Sequence, residues 1–96
     1  MIAAFSIVPL GKSESLSGYV AQAFQVIEES GLAYEQHAMG TNLEGDWDDV
    51  MAVIKACRDR LLESSNRVSL SIKIDDRVGR TDALRTKVAS AKSKML

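Results

Sequence analysis

Apolar and polar positions alternate along residues 2–10, IAAFSIVPL, with Ala3, Phe5 and Ile7 on one side and Ala4, Ser6 and Val8 on the other. This period of two predicts a strand. Pro9 and Gly11 end it, because proline has no N–H to give to a sheet ladder. The period then changes. Leu16, Tyr19, Val20, Ala23, Phe24 and Ile27 fall on one face of a helix, with Ser15 or Ser17 as its N-cap and Gly31 where a left-handed residue closes it. Alternation returns from Ala33 to Met39, with Tyr34, Gln36 and Ala38 opposite Glu35, His37 and Met39. Gly40 punctuates, and Thr41 to Glu44 form a short return strand before Gly45. Asp46 caps a second helix, with Asp48 and Asp49 in the first turn where the helix dipole favours negative charge. Its apolar stripe is Trp47, Val50, Ile54, Cys57 and Leu61. The segment RVSLSIKID is the plainest strand, with Val68, Leu70, Ile72 and Ile74 facing one way and Ser69, Ser71 and Lys73 the other. A third helix starts near Thr81 or Asp82. Its narrow stripe of Leu84, Val88, Ala91 and Met95 must rest on its own sheet or on a neighbour.

The order β-α-β-β-α-β-α is that of an α+β, ferredoxin-like sandwich with an additional C-terminal helix. In it a four-stranded antiparallel sheet carries helices on one face. The helix-covered face takes Val68, Leu70, Ile72 and Ile74. Ser69, Ser71 and Lys73 then lie on the open face, joined by Ala4, Ser6 and Val8 from the first strand and by Glu35, His37 and Met39 from the second. Such a mixture is a poor solvent surface and a reasonable wall for a ligand or another subunit.

Composition narrows the class. Residues 1–96 are of the length of one domain. An apolar fraction of 46% and a charged fraction of 26% are those of a globular chain rather than a disordered one. No apolar run approaches the roughly 18 residues of a membrane span, and the N-terminus has neither the basic region nor the cleavage site of a signal peptide. The expectation is a soluble, cytoplasmic protein with no membrane partner. A chain of this size buries only about 60–65% of its unfolded surface, which makes oligomerisation a source of extra stability.

The formal net charge of −1 hides an asymmetry: residues 1–49 hold eight acids and one base, while residues 50–96 hold 11 bases and five acids. Opposite charge can help segments or subunits pack, or the acidic half can attract a cation. Nucleic acid is not expected, because no aromatic residue follows Trp47 to stack on bases.

Candidate chemistry is sparse. The single cysteine, Cys57, allows no internal disulfide and no cysteine-cluster metal site, and its place on an apolar stripe reads as a core thiol. His37, the one histidine, has no ligand spacing around it and no nucleophile partner, so it is either a hydrogen-bonded strand residue or a ligand contact. PLGKS lacks the first glycine of a phosphate loop. Tyr19 and Trp47, at helix starts, suit core packing or stacking on a flat or cationic ring. No catalytic residues, no metal site and no catalytic cofactor are expected.

The run VPLGKSESLSGYVAQAFQVIEESGLAYEQHAMGTNLEGD resembles the thiamine-binding YkoF-like family. The likeness is carried by Pro9, Gly11, Ser15, Ser17, Tyr19, Val20, the run Ser30-Gly31-Leu32, the pair Tyr34-Glu35, Met39-Gly40-Thr41 and Glu44-Gly45. Arg67, Lys73, Asp75, Arg77, Lys87 and Val88 extend it to the C-terminal half. The resemblance implies a homo-oligomer, commonly a homotetramer, that binds thiamine or its hydroxymethylpyrimidine moiety without catalysis, for salvage, storage or delivery. Thiamine would be a bound ligand and not a cofactor. A carboxylate or aromatic face would meet its thiazolium cation, and Ser, Thr and backbone groups its aminopyrimidine. Their position at strand ends and on the open face makes Ser6, Ser15, Ser17, His37, Thr41 and Glu44 the expected polar contacts for such a ligand, with Tyr19 or Trp47 supplying a ring. The alternative is a small oligomeric interaction or regulatory module without a small-molecule ligand.

Overall fold

A computed structural model describes residues 1–11, 16–79 and 83–95. The elements are β1 (Ile2–Pro9), α1 (Ser17–Ser30), β2 (Ala33–His37), β3 (Gly40–Glu44), α2 (Trp47–Leu62), β4 (Val68–Asp75) and α3 (Ala83–Ser93). The strands form one sheet in the order β2-β3-β1-β4, with every neighbouring pair antiparallel. Two β-α-β passages around a central hairpin in this order are the ferredoxin-like fold, as the pattern of the sequence predicts.

Residues directly opposite one another share a face of the sheet. Phe5 pairs with Thr41 and Ile72, and Ala3 with Leu43 and Ile74, so these residues share the helix-covered face. Ala3, Phe5 and Leu43 are buried against Ala23 and Ile27 of α1 and Val50, Ile54 and Cys57 of α2. Each helix presents its apolar residues at three- and four-residue intervals, which is why one stripe of each can enter this core. Gly31 closes α1 with φ +76°, a left-handed residue that glycine adopts without a Cβ penalty.

Several local expectations are corrected. The first hairpin strand stops at His37, and Met39 stands in the two-residue turn, 83% exposed, instead of on the open face. The N-cap position of α1 belongs to Leu16, with Ser17 as the first helical residue. Ser15, Thr81 and Asp82 lie outside the described residues. Trp47, expected on the stripe of α2, is 53% exposed, because it opens the helix ahead of the first residue that reaches the core, Val50. Ile72 lies on the predicted face but on an edge strand, and stays 37% exposed.

The open face is not wholly open. α3 lies across one end of it: Leu84, Lys87 and Val88 bound a cleft of about 170 Å³ with Ile2, Glu35 and Asn42. Lys87 donates to the Asp75 carboxylate at the end of β4. The third helix therefore rests on its own sheet, one of the two options its narrow stripe allows.

Candidate functional site

The strands differ in length, and that difference makes the site. β1 and β4 pair over eight residues, from Ile2↔Asp75 to Pro9↔Val68, whereas β2 and β3 have five residues each. Pairing of β1 with β3 consequently ends at Phe5↔Thr41. Beyond that point β1 runs on with a strand on one side only. Helix α1 passes over this step, with Val20, Ala23, Phe24 and Ile27 lining the space beside the hairpin tip.

The result is a cavity of about 170 Å³ between β1, the hairpin tip and α1. Its walls are largely apolar: Phe5 and Ile7 from β1, and Val20, Ala23, Phe24 and Ile27 from α1. Polar side chains enter from Ser6, His37 and Thr41. Thr41 is 4% exposed, on the helix-covered face, while Ser6 is half-buried on the other face. No carboxylate lines the cavity among the described residues. A space this small is below the roughly 300 Å³ of a pocket for a drug-sized molecule and suits one substituted ring.

A second, shallower cleft of about 200 Å³ lies on the open face, with Ala4, Ser71 and Lys73 in its floor. Phe5, Ser6, His37 and Met39 border both spaces. His37 has a defined orientation: the Met39 N–H donates to Nδ1 at 3.3 Å, leaving Nε2, 3.3 Å from the Asn42 Oδ1, as the donor. The histidine thus ties the turn to β3, and the expected alternatives of strand residue and ligand contact remain compatible in one position.

Three of the residues singled out from the sequence, Ser6, His37 and Thr41, come together at this cavity. Ser17 and Tyr19 stand at the start of α1, next to the lining residue Val20 but outside the lining. Glu44 and Trp47 are elsewhere. Glu44 pairs with Ile2 and Ala33, three residues and about 10 Å along β3 from Thr41 and on the opposite face. Trp47 follows it at the head of α2. Sequence reasoning missed Ile7, Val20 and Phe24 as wall residues. The available signal was Pro9, which marks where β1 needs no hydrogen-bonding neighbour on one side. Cys57 is buried in the core, its thiol pushed up to about 11 by desolvation, and takes no part in the site. Among the described residues no group of His, Cys, Asp and Glu is placed to hold a metal ion, and no helix is long and apolar enough to cross a membrane.

Comparison with known proteins places this geometry in a lineage. A family model described as thiamine-binding protein matches residues 3–92. A UPF0045 protein of Mycobacterium bovis is 40% identical over 97 residues, covering 100% of this chain and 95% of the relative. The crystal structure of a hypothetical protein from Methanocaldococcus jannaschii superposes with a TM-score of 0.87 at 37% identity, over 95% of this chain and 94% of that one. A Thermotoga maritima protein, described as a candidate for thiamine biosynthesis or salvage, has a TM-score of 0.80 at 24% identity, over 94% of this chain and 96% of that one, and shares the fold.

Proposed function

We propose, from the premise that this chain belongs to the thiamine-binding protein family, that it is a non-catalytic binder of thiamine through the hydroxymethylpyrimidine moiety. The role is salvage, storage or delivery. The observation that carries this reading is the match between the cavity under α1 and one uncharged ring. The cavity's volume of about 170 Å³ suits the pyrimidine and leaves the thiazolium outside. Its walls are largely apolar, and Ser6, His37 and Thr41 bring a few polar groups to its lining. A permanent cation would lose its hydration inside such walls without a carboxylate in compensation. Ser6 and Thr41 are the hydrogen-bonding contacts on this reading, and His37, whose ring nitrogens are engaged with Met39 and Asn42, contributes its ring face. Ser17 and Tyr19, at the start of α1, reach the bound molecule only at its exposed thiazolium end on this reading, and Glu44 and Trp47 do not reach it within the chain; the assembly is a cytoplasmic homo-oligomer, a tetramer as the resemblance implies.

Calorimetric titration of the purified chain with thiamine, thiamine diphosphate and free hydroxymethylpyrimidine tests this. Micromolar or tighter binding of thiamine and of the free pyrimidine supports it. Absence of heat and of any thermal shift with all three sinks it, because a ligand selective for the folded state must stabilise that state. That outcome would favour the interaction module.

A further inference from the structure

Besides these side chains, the main chain of β1 brings a donor and an acceptor to the cavity wall. Along an antiparallel strand, successive residues turn their N–H and C=O groups alternately to the two neighbours. Two contacts set the alternation here. Met1 exchanges hydrogen bonds with Gly45 at the end of β3, at 2.8 and 3.1 Å, whereas the Leu10 N–H donates to the Arg67 carbonyl at the start of β4, at 2.8 Å. Odd-numbered residues of β1 therefore address β3 and even-numbered ones β4. Ile7 is odd, and the β3 ladder has already ended at Phe5↔Thr41. Continuing the register would set Ile7 against Met39, but Met39 stands in the turn and directs its N–H to His37. Pro9, the next odd residue, has no N–H at all, which a strand can tolerate where no ladder runs.

We infer that the main-chain N–H and C=O of Ile7 are the recognition element for the aminopyrimidine edge, the ring nitrogen accepting from the N–H while the adjacent amino group donates to the C=O. In an extended residue the two groups point the same way, as they do when they exchange both bonds with an opposing strand. An acceptor beside a donor on one edge of a flat ring presents the complementary pair. The ring takes the place of the residue that a longer hairpin would have put there. The Ile7 side chain lies in the same wall, so apolar contact and edge recognition come from one residue. This deepens the thiamine reading and rests on it.

The test compares Ile7→Ala with Ile7→Pro in the full chain. Alanine removes the side chain and keeps the N–H. Proline removes the N–H, which the β4 ladder does not use, and its demand for an extended residue before it is met by Ser6 in β1. The expected result is thiamine binding at least about tenfold weaker in Ile7→Pro than in Ile7→Ala, a difference of about 1.4 kcal/mol, with both variants retaining the native circular dichroism spectrum. Equal affinities would overturn the inference and leave the thiamine reading standing, whereas no binding to the wild-type chain would overturn both. If Ile7→Pro does not fold, wild-type protein decides with two thiamine analogues. One carries carbon in place of the ring nitrogen beside the amino group, the other in place of the remote ring nitrogen. Selective loss with the first supports the inference, and equal loss or none overturns it.

Discussion

Gly40 stands so close to Phe5 that a Cβ at position 40 would lie 2.5 Å from the Phe5 carbonyl oxygen, and its φ of +155° is one that residues with side chains rarely adopt. Both facts follow from the same event, the hairpin beginning its turn where it leaves β1. Gly40→Ala therefore has to push the hairpin tip away from β1 or strain the backbone. The expected cost is about 1–3 kcal/mol in a denaturation experiment. Because Gly40 also lines the cavity, thiamine affinity should fall with stability. A fully stable Gly40→Ala protein with unchanged affinity would show that the tip position is not set by this contact.

The two groups of sequence-derived candidates separate in space, and titrations can separate them in effect. Val20 lines the cavity and is 40% exposed, so Val20→Trp can fill the space with little cost to the core. Thiamine binding should weaken by at least about tenfold, or 1.4 kcal/mol, with a melting temperature within a few degrees of wild type. Glu44→Gln and Trp47→Ala, at the other end of the sheet, should change the affinity of a single chain by less than about twofold. Calorimetry on all three decides it. A large loss in Glu44→Gln alone would move the site to the far end of the sheet.

The fold was legible because each strand and helix in this chain repeats its own period. Val68, Leu70, Ile72 and Ile74 alternate without a break, and Ala23, Ile27, Val50, Ile54 and Cys57 keep helical spacing, so element types, their order and the buried face follow from pattern. The cavity was less legible because it depends on relative strand lengths. Nothing in AYEQHAMGT marks the turn at Ala38-Met39 rather than one residue later, and a shift of one residue decides whether Ile7 has a partner. Ser6, His37 and Thr41 could be named from polarity alone. Their grouping, and the distance of Glu44 from them, required the register.

The attachment of α3 should be weak. One tie to the sheet is the pair between Lys87 and Asp75, whose side chains are 53% and 44% exposed, and such pairs contribute about 0–1 kcal/mol. Lys87→Ala is expected to lower global stability by less than about 1 kcal/mol. It should also raise amide exchange in α3 well before exchange in β1 or α2. Ile54→Ala, by contrast, removes a side chain 2% exposed at the centre of the core and should cost about 2–5 kcal/mol. Urea titrations of the two variants, with exchange measured on the first, compare them directly. A Lys87→Ala loss as large as that of Ile54→Ala would mean that α3 is part of the cooperative core.

The buried thiol makes a prediction about pH whose sign can be worked out. Desolvation at Cys57 raises its pKa from 9.0 to about 11, and its Sγ–H points to the Ala23 carbonyl oxygen at 3.8 Å. The folded chain thus keeps this proton through a range in which the unfolded chain releases it. Below about pH 9 both states hold the proton and the site contributes no slope. Between about pH 9 and 11 the unfolded state binds fewer protons, so stability falls as pH rises through that window. Cys57→Ala removes this component. Its own cost of about 1 kcal/mol or more, from lost packing, is present at neutral pH and the gap to wild type narrows toward pH 11. Denaturant titrations of both proteins from pH 8 to about pH 11 test it. Parallel stability curves across the window would show that the thiol ionises in the folded state as easily as in the unfolded one. In that event a thiol reagent should also reach Cys57 in the native protein at neutral pH, where a buried, protonated thiol is expected to react only as fast as the chain opens.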